Sequence, residues 1–156
     1  MAFAAGQPLT ASALNAAIGS VWTAYTPVWT CATSNPSIGN GSLAGSYTKV
    51  GKTVTVRINL LVGSTTTFGS GAFRFTLPET SATYSGFTNL PIWVGSAYGF
   101  DNGTANRGGD VNVWSGATYC TVTGNGTGGQ WDAGTPMTWA NLDAIALTFS
   151  YEAATF

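Results

Sequence analysis

From Val21 onward the chain alternates apolar and polar residues with a period of two. The run Thr53-Val54-Thr55-Val56-Arg57-Ile58-Asn59-Leu60 puts four aliphatic side chains on one face of an extended strand. Phe73, Phe75 and Leu77 alternate with Arg74 and Thr76 and stop at Pro78, and Ile145, Leu147, Phe149 and Tyr151 share a face opposite Ala146, Thr148 and Ser150. Weaker runs at 21–31, 45–50, 92–100, 111–114 and 119–123 read as further strands. Turn chemistry separates them: Asn35-Pro36, Gly39-Asn40-Gly41, Gly69-Ser70-Gly71, Asn102-Gly103, Gly108-Gly109, Asn125-Gly126 and Gly128-Gly129. Val50-Gly51-Lys52-Thr53 has the form of a tight hairpin. About eight strands with frequent turns, none alternating with a helix, predict an all-β fold, an antiparallel β-sandwich of jelly-roll type.

Residues 1–20 break this pattern. Thr10-Ala11-Ser12-Ala13-Leu14-Asn15-Ala16-Ala17-Ile18-Gly19 combines a capping hydroxyl, Ala-rich spacing and a glycine stop, which predicts a short N-terminal helix. A helix of so few turns does not hold itself together in water. Leu9, Leu14 and Ile18 would form one apolar stripe needing a surface to lie on. The expected organisation is an anchoring segment over 1–20 and a sandwich domain over 21–156.

Composition then removes most chemistry. The 156 residues hold five Lys and Arg, six Asp and Glu and no histidine, so 7% are charged, against about 25% in an ordinary soluble domain. Without histidine there is no Ser-His-Asp triad, no Cys-His pair and no imidazole metal ligand. Five cations against a net charge of -1 do not neutralise a run of phosphates, so nucleic acid is not an expected partner. No apolar stretch is long enough to span a bilayer, and the opening Met1-Ala2-Phe3-Ala4-Ala5-Gly6 lacks the basic and apolar regions of a secretory signal. Cys31 and Cys120 are the two cysteines; one disulfide or two buried thiols would fit them, and the thiols are the plainer reading without an oxidising compartment.

Several motifs reduce to loop chemistry. No phosphate-loop pattern occurs, and Gly124-Asn125-Gly126-Thr127-Gly128-Gly129 does not open a helix. Asp101-Asn102-Gly103 through Asp110 misses the calcium-loop spacing. Nothing pairs two of Glu79, Asp101, Asp110, Asp132, Asp143 and Glu152 across a cleft for glycoside hydrolysis. The sequons at Asn40, Asn102 and Asn125 are those expected by chance in a chain rich in Asn, Ser and Thr. No catalytic, cofactor-binding or metal-ligating residue is expected, and the chain does not read as an enzyme. The aromatic load of 13% is the informative feature. Most rings belong to strands and core, but Trp93, Tyr98, Asp101, Asn102, Trp114 and Trp131 flank long Gly/Asn segments. Flat rings beside short polar groups suit stacking on a sugar face, which makes these six the candidate glycan contacts.

Two stretches also carry a resemblance. Ala5-Gly6-Gln7-Pro8-Leu9-Thr10-Ala11-Ser12-Ala13-Leu14-Asn15-Ala16 is similar to the opening of many small virion proteins of tailed phages. Tyr25-Thr26-Pro27-Val28-Trp29-Thr30, Gly39-Asn40-Gly41, the run from Gly45 to Val54, Pro136-Met137-Thr138-Trp139, and Asp143 before the final strand to Tyr151-Glu152-Ala153 resemble β-rich domains encoded among tail and fibre genes of phages infecting actinobacteria. The resemblance implies a virion structural protein, a homotrimer, held to other virion proteins through Leu9, Leu14 and Ile18 and carrying a β head. Tail fibre or tail tip contacting a host-surface glycan is the first expectation, capsid decoration protein the second, and a carbohydrate-binding module the third. It carries over no catalytic residue.

Overall fold

The computed structural model describes residues 6, 8, 10, 11, 21–87, 90–124 and 129–156. Nine strands follow one another: β1 (Thr23–Tyr25), β2 (Trp29–Cys31), β3 (Ser42–Val50), β4 (Thr53–Leu61), β5 (Phe73–Thr76), β6 (Pro91–Phe100), β7 (Arg107–Trp114), β8 (Tyr119–Gly124) and β9 (Ala144–Glu152). They pair antiparallel in one sheet of order β1-β3-β4-β9-β6-β7-β8-β5-β2. No helix occurs among the described residues from Val21 onward, and the fold is all-β. The helix expected over 10–19 lies, apart from Thr10 and Ala11, outside the described residues, as do Leu9, Leu14 and Ile18.

The alternating runs correspond to β3 through β9, and one expectation is corrected. Residues 21–31 are two strands, because Pro27 has no N–H to give a ladder and sits buried at a corner between them. That corner joins the two margins of the sheet. β1 pairs with β3 at one margin while β2 pairs with β5 at the other. Val28 N–H donates to Thr76 Oγ1 at 2.8 Å, Thr76 N–H donates to the Val28 carbonyl at 3.0 Å, and the Tyr25 hydroxyl reaches the Thr76 carbonyl at 3.4 Å. The sheet therefore curls until its margins are laced together. Each margin strand is only three residues long, which leaves little unpaired edge.

Curling encloses one core. In the β4–β9 ladder the pairs Val54–Tyr151, Val56–Phe149, Ile58–Leu147 and Leu60–Ile145 all face inward and are buried. Trp29, Phe75, Val111, Val113 and Val122 from the other half join the same cluster, so the two halves form a sandwich. Each large apolar side chain buried in this way contributes roughly 1.5–3 kcal/mol. The β3–β4 hairpin closes through Gly51-Lys52 with φ +60° at Gly51, the pattern of a II′ turn that matches strand twist.

One end of the core is filled by residues 129–139, which belong to no strand. Trp131, Met137 and Trp139 are buried there. Trp131 lies 5.9 Å from Trp139, Trp139 6.0 Å from Phe73, and Phe73 5.1 Å edge-on to Trp29, centroid to centroid. The Trp139 indole N–H donates to the Asp132 carbonyl at 2.9 Å. Gly99 and Gly109 form the floor under the Trp131 ring; a Cβ at Gly109 would come within 2.7 Å of both that ring and the Thr123 carbonyl.

Both cysteines are unpaired and buried. Burial pushes the Cys120 thiol up to about 12 and raises that of Cys31 as well, against the opposing pull of Arg74. The thiolate is the reactive form, so neither thiol is expected to react with a disulfide reagent in the native protein near neutral pH. Both should react after denaturation. Rapid colour development from the native protein would contradict this packing.

Candidate functional site

The six residues expected to meet a glycan do not share one surface. Trp93 pairs with Val113, so its ring is on the inner face of the sheet, packed edge-on to Tyr84 and Tyr151 at 5.6 and 6.5 Å. Trp131 is corrected outright: its 0% exposure makes it a core residue. Tyr98 is exposed on the outer face opposite Gly108 and Ala146. Asn102 is exposed and Asp101 half-buried in the β6–β7 turn beyond it, where the Asn102 N–H donates to Asp143 Oδ1 at 2.9 Å. Trp114 is half-buried at the far end of β7. Trp114 is six residue steps along β7 from Gly108, which is about 20 Å of extended chain. The structure thus brings Tyr98, Asp101 and Asn102 to one end and leaves Trp114 at the other.

Trp114 has different neighbours, which the sequence reading missed. It lines a concavity of about 450 Å³ together with Arg74, Tyr119, Thr121, Gln130 and the turn 115–118. The ladder explains why these residues converge. Arg74 on β5 pairs with Thr121 on β8, and Tyr119 lies two residues along on the same face. An isolated bridge between Thr123 and Gln130 continues that face beyond the end of β5. The Arg74 guanidinium stands 4.7 Å over the Tyr119 ring. The only available signal in the sequence was that Arg74 occupies the polar phase of an alternating strand; its partner strand could not be read from the chain.

Charge at this place is unbalanced. Lys49 meets Glu79 at 2.5 Å and Lys52 meets Glu152 at 3.9 Å. Arg57 lies 4.1 Å over the Trp22 ring on the outer face, and Arg107 donates to the Pro136, Ala105 and Asn106 carbonyls at 3.4–3.5 Å. Among the described residues, Arg74 has no carboxylate within ion-pair distance, and its Nε is buried without an acceptor. Thr121 is 4% exposed and its Oγ1 also has no partner. Buried polar groups are nearly always hydrogen-bonded, so two orphans lining one concavity mark it as the candidate site.

Comparisons with family models, curated proteins and solved structures find no match.

What the lining offers chemically is a ring face, hydrogen-bonding groups and one cation. No carboxylate lines the concavity, so the acid and base of glycoside cleavage are not there. Among the described residues no group of three or more His, Cys, Asp or Glu converges. Asp143, although buried, is consumed by structure: Oδ1 accepts from Asn102 and Oδ2 from the Ala140 N–H at 2.6 Å.

Proposed function

We propose that the protein is a phage virion structural protein, a tail-fibre or tail-tip subunit whose β head contacts a glycan on the host surface and turns over no substrate. The observation that carries the glycan contact is the half-exposed Trp114 beside Thr121 and Gln130 in an outer-face concavity. A ring face with short hydrogen-bonding groups next to it suits a sugar. The virion assignment is supported by the likeness of residues 5–16 and of the β-domain patches to phage proteins, and by an all-β head with few charges. The jelly-roll form of the sandwich belongs to the same proposal.

Self-association into a homotrimer is supported by an apolar row on the outer face. Leu61, Ala144 and Phe100 pair across β4, β9 and β6, with Tyr98 and Ala146 beside them. Leu61, Phe100, Tyr98 and Leu142 are 41–52% exposed. Copies packing on this row would bury it, since interface cores are depleted of charge. The same row favours the second reading, a capsid decoration protein attached through residues 1–20, because a side-by-side lattice also needs such a face.

The test is adsorption of the labelled protein to actinobacterial cell walls. Trp114→Ala is expected to reduce binding about tenfold, the loss of one stacking ring at about 1.4 kcal/mol, without lowering thermal stability. Undiminished binding by the variant would exclude Trp114 as the contact. Light scattering that gives a monomer at micromolar concentration would remove the trimer.

A further inference from the structure

We propose that the concavity between β5, β8 and the turn 115–118 binds an anionic saccharide, with Arg74 taking the anion. This inference rests on reading the protein as a glycan-contacting head, and it names the ligand class.

Among the described residues Arg74 and Arg57 have a ring contact but no ion pair, and of the two Arg74 lines a concavity and has a buried Nε without an acceptor. Its guanidinium stands 4.7 Å over the Tyr119 ring, a cation–π contact that holds the head group at the concavity without using its N–H donors. A carboxylate or phosphate matches that fork in a bidentate way, and charge-assisted hydrogen bonds of this kind are the strong ones. Thr121 adds an independent indication. Thr121 lines the same concavity, and its Oγ1, nearly inaccessible from outside, has no hydrogen-bond partner. A hydroxyl left in that state costs stability unless something else completes it, and a sugar hydroxyl both donates and accepts.

Size and shape agree with this ligand. About 450 Å³ falls within the range of small-molecule sites. Trp114 supplies a ring for the apolar face of a pyranose, and Gln130, exposed at the rim, supplies an amide for hydroxyls. An isolated aromatic–arginine surface pair would account for Tyr119 but not for the buried orphan on Thr121. One ion pair also implies only a shallow decline of binding with salt, unlike a polyanion track. Single-site affinity is expected to be weak, with several heads acting together to give useful avidity.

The test is NMR titration of the full chain with methyl glucuronide, methyl glucoside and glucose 1-phosphate, following the Arg74 Nε–H and Trp114 indole resonances. At millimolar concentrations an anionic sugar should shift both, and the neutral glucoside should shift them at least tenfold less at equal concentration. Response to the glucuronide alone identifies a carboxylate sugar, and response to the phosphate alone identifies a phosphorylated one. Arg74→Gln should abolish the preference. Thr121→Val should weaken binding severalfold while the melting temperature stays level or rises, a combination that a purely structural threonine would not give. Equal shifts with all three sugars would overturn the anion assignment and leave glycan contact standing. No shift with any of them would overturn the site, whereas cell-wall adsorption of wild type and Trp114→Ala would still judge the broader reading.

Discussion

Trp131→Ala is expected to destabilise the protein by about 3–5 kcal/mol, the cost of emptying a fully buried aromatic position. Domains of this kind have about 5–15 kcal/mol in all, so much of the population would unfold under mild stress. The argument is geometric. Trp131 is completely buried, tilts against Trp139, and lies on a floor from which Gly99 and Gly109 have removed every side-chain atom. No neighbouring side chain on that floor can move in to fill the hole. The indole N–H has no acceptor, so Trp131→Phe loses volume but no hydrogen bond and should cost clearly less. Gly109→Ala approaches the same contact from the opposite side and should also destabilise. Guanidinium unfolding of the three variants checks the set, and a Trp131→Ala protein as stable as wild type would contradict the packing. Any adsorption defect of that variant would then be a consequence of unfolding, unlike that expected of Trp114→Ala.

Asp143→Ala carries the second large effect. Its carboxylate is 1% exposed and accepts from two backbone N–H groups, those of Asn102 and Ala140. Each hydrogen bond to a charged group is worth about 1.5–3 kcal/mol, and removal leaves two donors unpaired. A loss of about 3 kcal/mol is therefore expected, together with faster amide exchange at Asn102 and Ala140. Asp143→Asn keeps one acceptor oxygen and should lose less. Unchanged exchange at both amides would show that another acceptor serves them.

The strands were legible because their alternation is a local property. Val54 to Leu60 and Ile145 to Tyr151 each declare a buried face without knowing what covers it. The break at Pro27 was written in the sequence too, but Thr-rich extended residues on both sides masked it. Pairing was not legible. β9 lies between β4 and β6, and β5 between β8 and β2, so the contacts that create the concavity join residues far apart in sequence. That is why Arg74 and Thr121 passed as ordinary polar-face residues. Trp131 was misread for a related reason: Gly-rich neighbours in sequence imply a solvent loop, whereas the ring is received by two distant glycines, Gly99 on β6 and Gly109 on β7.

The position of β9 in the middle of the sheet has a consequence for how the protein is made. It comes last of the nine strands in chain order, yet it fills the middle of the ladder between the β3–β4 hairpin and the β6–β7–β8 meander, which otherwise meet only where the Pro27 corner laces the margins. Without it, β4 and β6 each present a bare hydrogen-bonding edge, and the inward row Ile145, Leu147, Phe149 and Tyr151 is missing from the core. A chain that lacks β9 therefore leaves the centre of the sheet open. Closure of the sheet waits on its last strand, and the exposed edges of β4 and β6 are the price of that order.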